Sequence, residues 1–261
     1  MCGIAGFSGS FDEMLLHKMS ETIQYRGPDN AGIYFLPEHG LGLAHRRLSI
    51  IDLSDAGHEP MWDVTKTVVI SYNGEIYNFR EIRAELIDEG FSFHSHSDTE
   101  VILNLYLRDG PSMLSTLNGI FALAMWDTRT NELLLARDGV GVKPLYYAMT
   151  PNGFLFASEL KAILQAPDVD RTIDPQALQA YLTYLWCPAP NTMLQSVKKL
   201  EPGNALIVKN GRIQKQWQYY NLPYHQSIET LSEQDAIEQT RSYITQAVER
   251  QLVSDVPVGA F

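Results

Sequence analysis

The chain has 261 residues, 45% of them hydrophobic and 20% charged, with 20 Lys and Arg against 31 Asp and Glu for a formal charge of −11. That balance is ordinary for a globular fold with a substantial buried core, and the negative field argues against nucleic acid or an anionic membrane surface as partner. No apolar run approaches the roughly 18–20 residues of a membrane-spanning helix, no basic-then-apolar leader opens the chain, and two cysteines, Cys2 and Cys187, cannot form a disulfide scaffold and fit a reducing cytoplasm.

In chain order, strands are predicted at residues 3–8, 31–35, 42–45, 67–72, 120–126, 132–137 and 153–157, each rich in aliphatic and aromatic residues between turn signals. Helices are predicted at 11–24, 79–89, 98–109 and 175–185. Phe79, Ile82, Leu86 and Ile87 recur at helical spacing before a stop at Gly90. Ser97 and Glu100 are spaced as a capping box, with Val101 and Leu105 on one face and Gly110 beyond the end. Helices grouped between sets of strands favour sheets layered with helices over a repeated βαβ barrel. Asn210-Gly211, between the apolar runs 205–208 and 213–217, predicts a hairpin with a type I′ turn. Residues 221–230 are polar and read as a linker; residues 232–254 read as one long helix, and 256–261 as a buried strand that stops abruptly.

Chemistry is concentrated in short segments. A thiol reacts as the thiolate and ionises only near pH ~8.5, whereas an α-amine has a pKa of ~7.7–8.0. If Met1 is removed, Cys2 therefore carries its own proton acceptor, although taken alone it reads equally well as a buried thiol. Arg26-Gly27-Pro28-Asp29 is a turn whose Arg is expected to fix the chain beside Cys2. The segment 44–52 places Arg46 and Arg47 at a strand's end, where a bidentate grip on a carboxylate is available. Asn73-Gly74-Glu75-Ile76-Tyr77-Asn78 follows a strand, and an Asn side-chain N–H beside a Gly backbone N–H makes an oxyanion hole. Asp98 stands at a helix start, where it either caps the helix or holds an ammonium group. Glu75 reads equally as a salt-bridge partner, Asn78, Lys143 and Glu159 as structural, and Cys187 as a small buried hydrophobe.

Together and in this order, Met-Cys-Gly-Ile, Arg-Gly-Pro-Asp, Ala-His-x-Arg-Leu-Ser-Ile, Asn-Gly-Glu-Ile-Tyr-Asn and Ser-Asp-x-Glu resemble class II glutamine amidotransferase domains. Residues 119–127, 137–147, 158–162 and 200–203 narrow the resemblance to the glutamine-dependent asparagine synthetases. Ser254-Asp255-Val256-Pro257-Val258-Gly259 is similar to the strand before that family's pyrophosphate loop.

The resemblance implies an α+β fold, a four-layer αββα N-terminal nucleophile hydrolase sandwich over roughly residues 2–205, followed by the start of a truncated α/β synthetase domain. The expected division is a glutaminase domain at 1–210, a linker at 211–230 and a partial ATP-pyrophosphatase-type domain at 231–261. It implies Cys2 as nucleophile on the side-chain amide of L-glutamine and Asn73 and Gly74 as oxyanion donors. Arg47 would hold the substrate carboxylate, Asp98 and Glu75 would address its ammonium group, and Leu48, Ser49, Ile50 and Ile51 would line the pocket through their backbone. Arg46 is then a solvated neighbour of Arg47.

No cofactor is implied for glutamine hydrolysis. ATP and magnesium are implied only for the chain's own C-terminal synthetase domain, whose Ser-Gly-Gly-x-Asp-Ser loop is absent: the sequence contains no Gly-Gly pair. The chain therefore reads as a fragment able to release ammonia, in the cytoplasm, with a homodimer as one open assembly. Gly139 stands where relatives carry a bulkier residue. Three other readings share some of these features: a glutaminase serving a different acceptor, a stand-alone N-terminal nucleophile amide hydrolase, and a non-catalytic module if Met1 is retained.

Overall fold

A computed structural model describes residues 1–224 and 231–259. One antiparallel sheet is built from β1 (Gly3–Gly9), β2 (Asn30–Leu36), β3 (Leu41–Arg47), β8 (Tyr146–Thr150), β9 (Gly153–Ala157) and β10 (Val197–Lys199). The second takes β4 (Met61–Trp62), β5 (Val68–Ile76), β6 (Gly119–Asp127), β7 (Glu132–Arg137), β11 (Asn204–Lys209) and β12 (Arg212–Gln218). Their strand orders are β10-β8-β9-β1-β3-β2 and β12-β11-β7-β6-β5-β4.

The two-residue period of a strand distributes the apolar residues into three layers. Ile4, Leu43, Phe154 and Phe156 of the first sheet meet Val69, Ala124, Trp126 and Leu135 of the second in the space between the sheets. The alternate residues Ala5, Phe7, Leu155 and Ala157 face α1 (Glu13–Thr22) and α4 (Leu160–Ile163). On the other side, Val68, Ile70 and Tyr72 of β5 face α2 (Phe79–Asp88) and α3 (Asp98–Asp109). Helices thus cover the outer face of each sheet, and the sandwich has four αββα layers. Among the described residues no helix is long and apolar enough to cross a membrane.

The long strands and helices fall where the residue pattern places them. Asp12 caps α1, accepting Leu15 N–H at 2.8 Å, so this helix starts two residues later than the apolar pattern and ends at Thr22. Asn210 and Gly211 both have positive φ, 52° and 71°, as a type I′ turn requires. Three differences stand out. First, β5 runs on to Ile76 and pairs with β6, so Asn73, Gly74 and Glu75 lie inside a strand instead of following one. Second, Ser97 caps α3 at Thr99 N–H (3.1 Å), but Glu100 accepts from the N–H groups of His94 and Ser95 instead of closing a capping box. The chain at 92–96 folds back over the helix start and reaches that carboxylate first. Third, β4, β8, β10 and the short α4 lack a pattern long enough to read.

The expected linker at 211–230 overlaps β12, which pairs with β11 at the sheet edge, so irregular chain begins only after Gln218; residues 225–230 lie outside the described ones. The helix expected at 232–254 is α6 (Glu233–Gln251), capped by Ser232, and none of its residues is buried. Residues 256–259 are not a strand: among the described residues Val256 and Val258 pair with no strand, and Val258 is exposed; residues 260 and 261 lie outside the described ones. α5 (Pro175–Tyr184) buries only Ala177. Gly139 is explained by its neighbour, since a Cβ there would lie 2.5 Å from the Tyr220 ring.

Candidate active site

Four chain segments converge at one end of the sandwich: the start of β1, the exit of β3, the end of β5 and the first turn of α3. Register brings the first two together, because β1 and β3 pair with Gly3 opposite Arg46. Cys2 therefore lies beside the residues that leave β3, with its Sγ 3.4 Å from the N–H of Leu48 and 3.6 Å from that residue's carbonyl. The two sheets are tied at the same level, where Ser71 donates to the Ala44 carbonyl (3.0 Å) and His45 Nε2 meets the Tyr72 carbonyl (2.9 Å). The cleft so formed is open to solvent and has a cavity of about 110 Å³ at its base.

Cys2 is half-buried, and burial pushes its thiol up to about 11, with the Leu48 N–H opposing that shift and the nearby Glu59 carboxyl reinforcing it. At neutral pH this sulfur is a thiol and needs a proton acceptor at hand before it can attack. Met1 is exposed, and burial and the Arg26 and Lys143 charges outweigh the pull of Cys2 and Asp29 to hold its α-amine below its ordinary value. Arg26 donates its Nε to the Cys2 carbonyl at 2.9 Å and its Nη1 to Glu159 at 2.8 Å. Arg26 and Glu159 thus brace the backbone of Cys2, and Tyr25 donates to the same carboxylate.

Asn73 is 1% exposed and its Nδ2 has no hydrogen-bond partner among the described residues, although it borders the same cleft as Cys2. A buried amide N–H left unpaired is destabilising by about 1–3 kcal/mol, a price that a ligand oxygen in the cleft would remove. Gly74 must be glycine, since a Cβ there would sit 2.4 Å from the Ile120 carbonyl on β6. Glu75 also borders the cleft, raised by burial and drawn back by Lys143.

Arg47, 8% exposed, also lines the cleft. Its guanidinium is held by carbonyls, those of Ser54 (3.2 Å), Ile51 (3.4 Å) and Asp52, and among the described residues no carboxylate pairs with it. Carbonyls orient a cation without neutralising it, so its charge is available to a carboxylate in the cleft. Asp98 lines the same pocket: its Oδ2 accepts from Tyr72 Oη (2.9 Å) and Ile76 N–H (3.0 Å), and burial raises it to about 6 against those bonds. Arg46, expected as a solvated residue, instead donates to Ser20 Oγ at 2.8 Å and anchors the end of α1. Leu48, Ile50 and Ile51 form wall, while Ser49 stands behind it and gives its N–H to Asp29.

A pattern of motifs does not disclose several wall residues. Glu59 is buried, accepts from Tyr72 N–H (2.6 Å) and Thr99 Oγ1 (3.1 Å), and is raised by burial to about 8. His45, equally buried, is lowered to about 3 by burial, against the Tyr72 carbonyl bond. Lys143, read as structural, contributes a buried cation to the wall. Gly57 packs under Arg47, where a Cβ would come within 2.1 Å of Nη2. Gly57, Glu59 and Lys143 come from turns and loops and His45 from β3 beside Arg47. His45 and Lys143 lie in the motif segments without a wall role being legible there, and nothing in the local spacing of Gly57 and Glu59 marks them.

The family model for the glutamine amidotransferase domain matches residues 1–220. The chain belongs to the glutamine amidotransferase domain family. The whole chain is 37% identical over 269 residues to the glutamine-hydrolysing asparagine synthetase 3 of Bacillus subtilis and 38% identical over 269 residues to asparagine synthetase 1 of the same organism. It spans 43% and 42% of the lengths of those relatives, less than half of each. Among solved structures, the glutamine phosphoribosylpyrophosphate amidotransferase of B. subtilis matches with a TM-score of 0.62 and 18% identity, over 84% of this chain and 49% of that one, a likeness of fold. In this glutamine amidotransferase domain the cleft therefore offers a thiol, an unpaired amide donor, an unneutralised guanidinium and a buried carboxyl group. Those are complementary to a zwitterionic amino acid that carries a carbonyl at its far end.

Proposed function

We propose that the chain hydrolyses L-glutamine to glutamate and ammonia through a thioester on Cys2. The observation that supports this best is the orphaned Asn73 Nδ2 bordering the same cleft as the Cys2 thiol. Arg47 takes the α-carboxylate of glutamine, Asp98 and Glu75 take its α-ammonium, and the backbone of residues 48–51 shapes the wall between them. With Met1 removed, the Cys2 α-amine in its neutral form accepts the thiol proton, and the sulfur adds to the side-chain carbonyl carbon. Asn73 Nδ2 and the Gly74 N–H hold the oxyanion of the tetrahedral adduct. The same α-amine then passes its proton to the leaving nitrogen, the C–N bond breaks, and ammonia departs from a glutamyl thioester. Water, deprotonated by the same amine, cleaves the thioester and returns the thiol.

The named relatives support asparagine formation as the fate of the ammonia. In a longer protein we assign that step to the chain's own C-terminal synthetase domain acting in the cytoplasm with ATP and magnesium. The present sequence offers no Gly-Gly cradle for the nucleotide's phosphates.

A thiol-directed glutamine analogue followed by peptide mapping and intact-mass measurement tests the reading. Stoichiometric labelling at Cys2 of a Met1-free species, together with glutamate release from glutamine, is the expected result. Labelling elsewhere, or full activity in a species that retains Met1, would overturn it.

A further inference from the structure

Asp52 is a buried junction. Its φ of 54° is left-handed, which a non-glycine residue adopts only when its surroundings hold it there. Its Oδ2 accepts His96 N–H at 2.8 Å, just before the turn that presents Asp98; its Oδ1 accepts from Ser54 N–H at 3.1 Å; and its carbonyl accepts from Arg47. The remaining backbone group, the Asp52 N–H, donates to Oδ2 of Asp255 at 2.7 Å, a residue 203 positions further along the chain. Asp255 also donates its own N–H to the Ile50 carbonyl at 2.9 Å. A turn in which Val256 N–H bonds Ser254 Oγ (3.1 Å) presents Asp255 to the loop, and Val253 packs on the edge of the sandwich core. The chain after α6 thus grips the loop at 50–52 from outside, and the inner side of that loop is both cleft wall and cradle for Arg47.

We propose that Asp255 is a positioning residue for glutamine binding: its carboxylate and N–H clamp residues 50–52 in the shape that aims the carbonyls of Ile51 and Asp52 at the Arg47 guanidinium. This rests on the assignment of Arg47 to the glutamine carboxylate. The bond from Asp52 is charge-assisted and short, and its loss frees the one junction residue whose backbone is held in a left-handed conformation. Asp255 is itself exposed, so its substitution leaves the core intact.

The test uses the 261-residue chain and its variants Asp255→Ala, Asp255→Asn and Asp255→Pro. Asp255→Ala removes the acceptor and should raise KM for glutamine about fivefold, with kcat within about twofold of the parent. Asp255→Asn keeps a neutral acceptor and should fall between the parent and Ala; Asp255→Pro also loses the N–H and should exceed Ala. Alkylation of Cys2 by iodoacetamide should proceed at the parental rate in all three. An Asp255→Ala variant with parental KM, or one whose kcat and alkylation rate fall together with unchanged KM, would overturn the proposal, as would an Asn variant as impaired as Ala. A parent chain inert toward glutamine would instead sink the glutaminase reading on which the proposal rests.

Discussion

Cys2 and Asn73 are placed by sheet backbone, one immediately before β1 and the other within β5, each strand laddered to its neighbours. Arg47 ends β3, where its backbone pairs with Asn30, but its guanidinium is placed by the carbonyls of a loop that runs through residues 51–54. A ladder resists displacement because each shift breaks several backbone bonds, whereas a loop moves at the expense of one or two. The difference teaches where function should be brittle and where adjustable: geometry for the bond-breaking step lies in the rigid half, and affinity for the amino-acid head group lies in the half that can be tuned.

The sharpest way to break that comparison is at Asn73. Asn73→Ala should lower kcat for glutamine by about 10²–10³ with KM little changed, because it deletes a donor needed only when the oxyanion forms. A matching rise in KM, measured by steady-state glutamate release, would mean that the strand half also grips the ground state. At the loop half, Gly57→Ala should raise KM roughly tenfold or more with kcat nearly kept, since the new Cβ must push aside Arg47 Nη2, now 2.1 Å from its position. A fall in kcat alone in that variant would erase the distinction between the two halves.

Two smaller effects follow from burial. Asp98, raised to about 6, is ionised and able to attract an ammonium group only above that pH. In a pH profile, kcat/KM for glutamine should fall toward a tenfold loss per unit below about pH 6, and Asp98→Asn should remove that limb at a lower plateau. Glu59 acts on stability instead. Its folded pKa of about 8 lies above the ordinary 4.5, so between those values the unfolded chain gives up this proton first. Unfolding free energy therefore declines across that window as pH rises, the reverse of the usual salt-bridged carboxylate. Glu59→Gln cannot ionise, so its Tm relative to the parent should be higher at pH 8 than at pH 5, by roughly 2–4 °C for each kcal/mol removed. Equal differences at both pH values by thermal melting would show that Glu59 is not held neutral by the fold.

Much of this was legible along the chain because adjacent residues share one backbone path. Cys2, Arg47, Asn73, Gly74 and Asp98 each sit in a short segment whose chemistry can be read locally, and register then brings the segments to one cleft. The long strands were legible for the same reason, since a period of two over five or more residues marks both faces. Lys199 and its neighbours in β10, only three residues long, leave no such period. Glu100 shows the limit from the other side: its spacing to Ser97 is right for a capping box, yet the backbone of His94 and Ser95 takes its carboxylate. Ser254–Gly259 shows it again, where an apolar alternation fails to make a strand without a partner at its edge.

By itself, then, the sequence determined the family, the layered fold and the identity of the reacting groups, because torsional preference, periodicity and motif chemistry are local properties. Only the tertiary structure decided their state. That Cys2 is held as a thiol, that Asp98 and Glu59 are raised to about 6 and about 8, and that Asp255 reaches the Arg47 loop all depend on neighbours distant in sequence. Desolvation and charge act through space, and the chain carries no local record of which groups will share a buried volume.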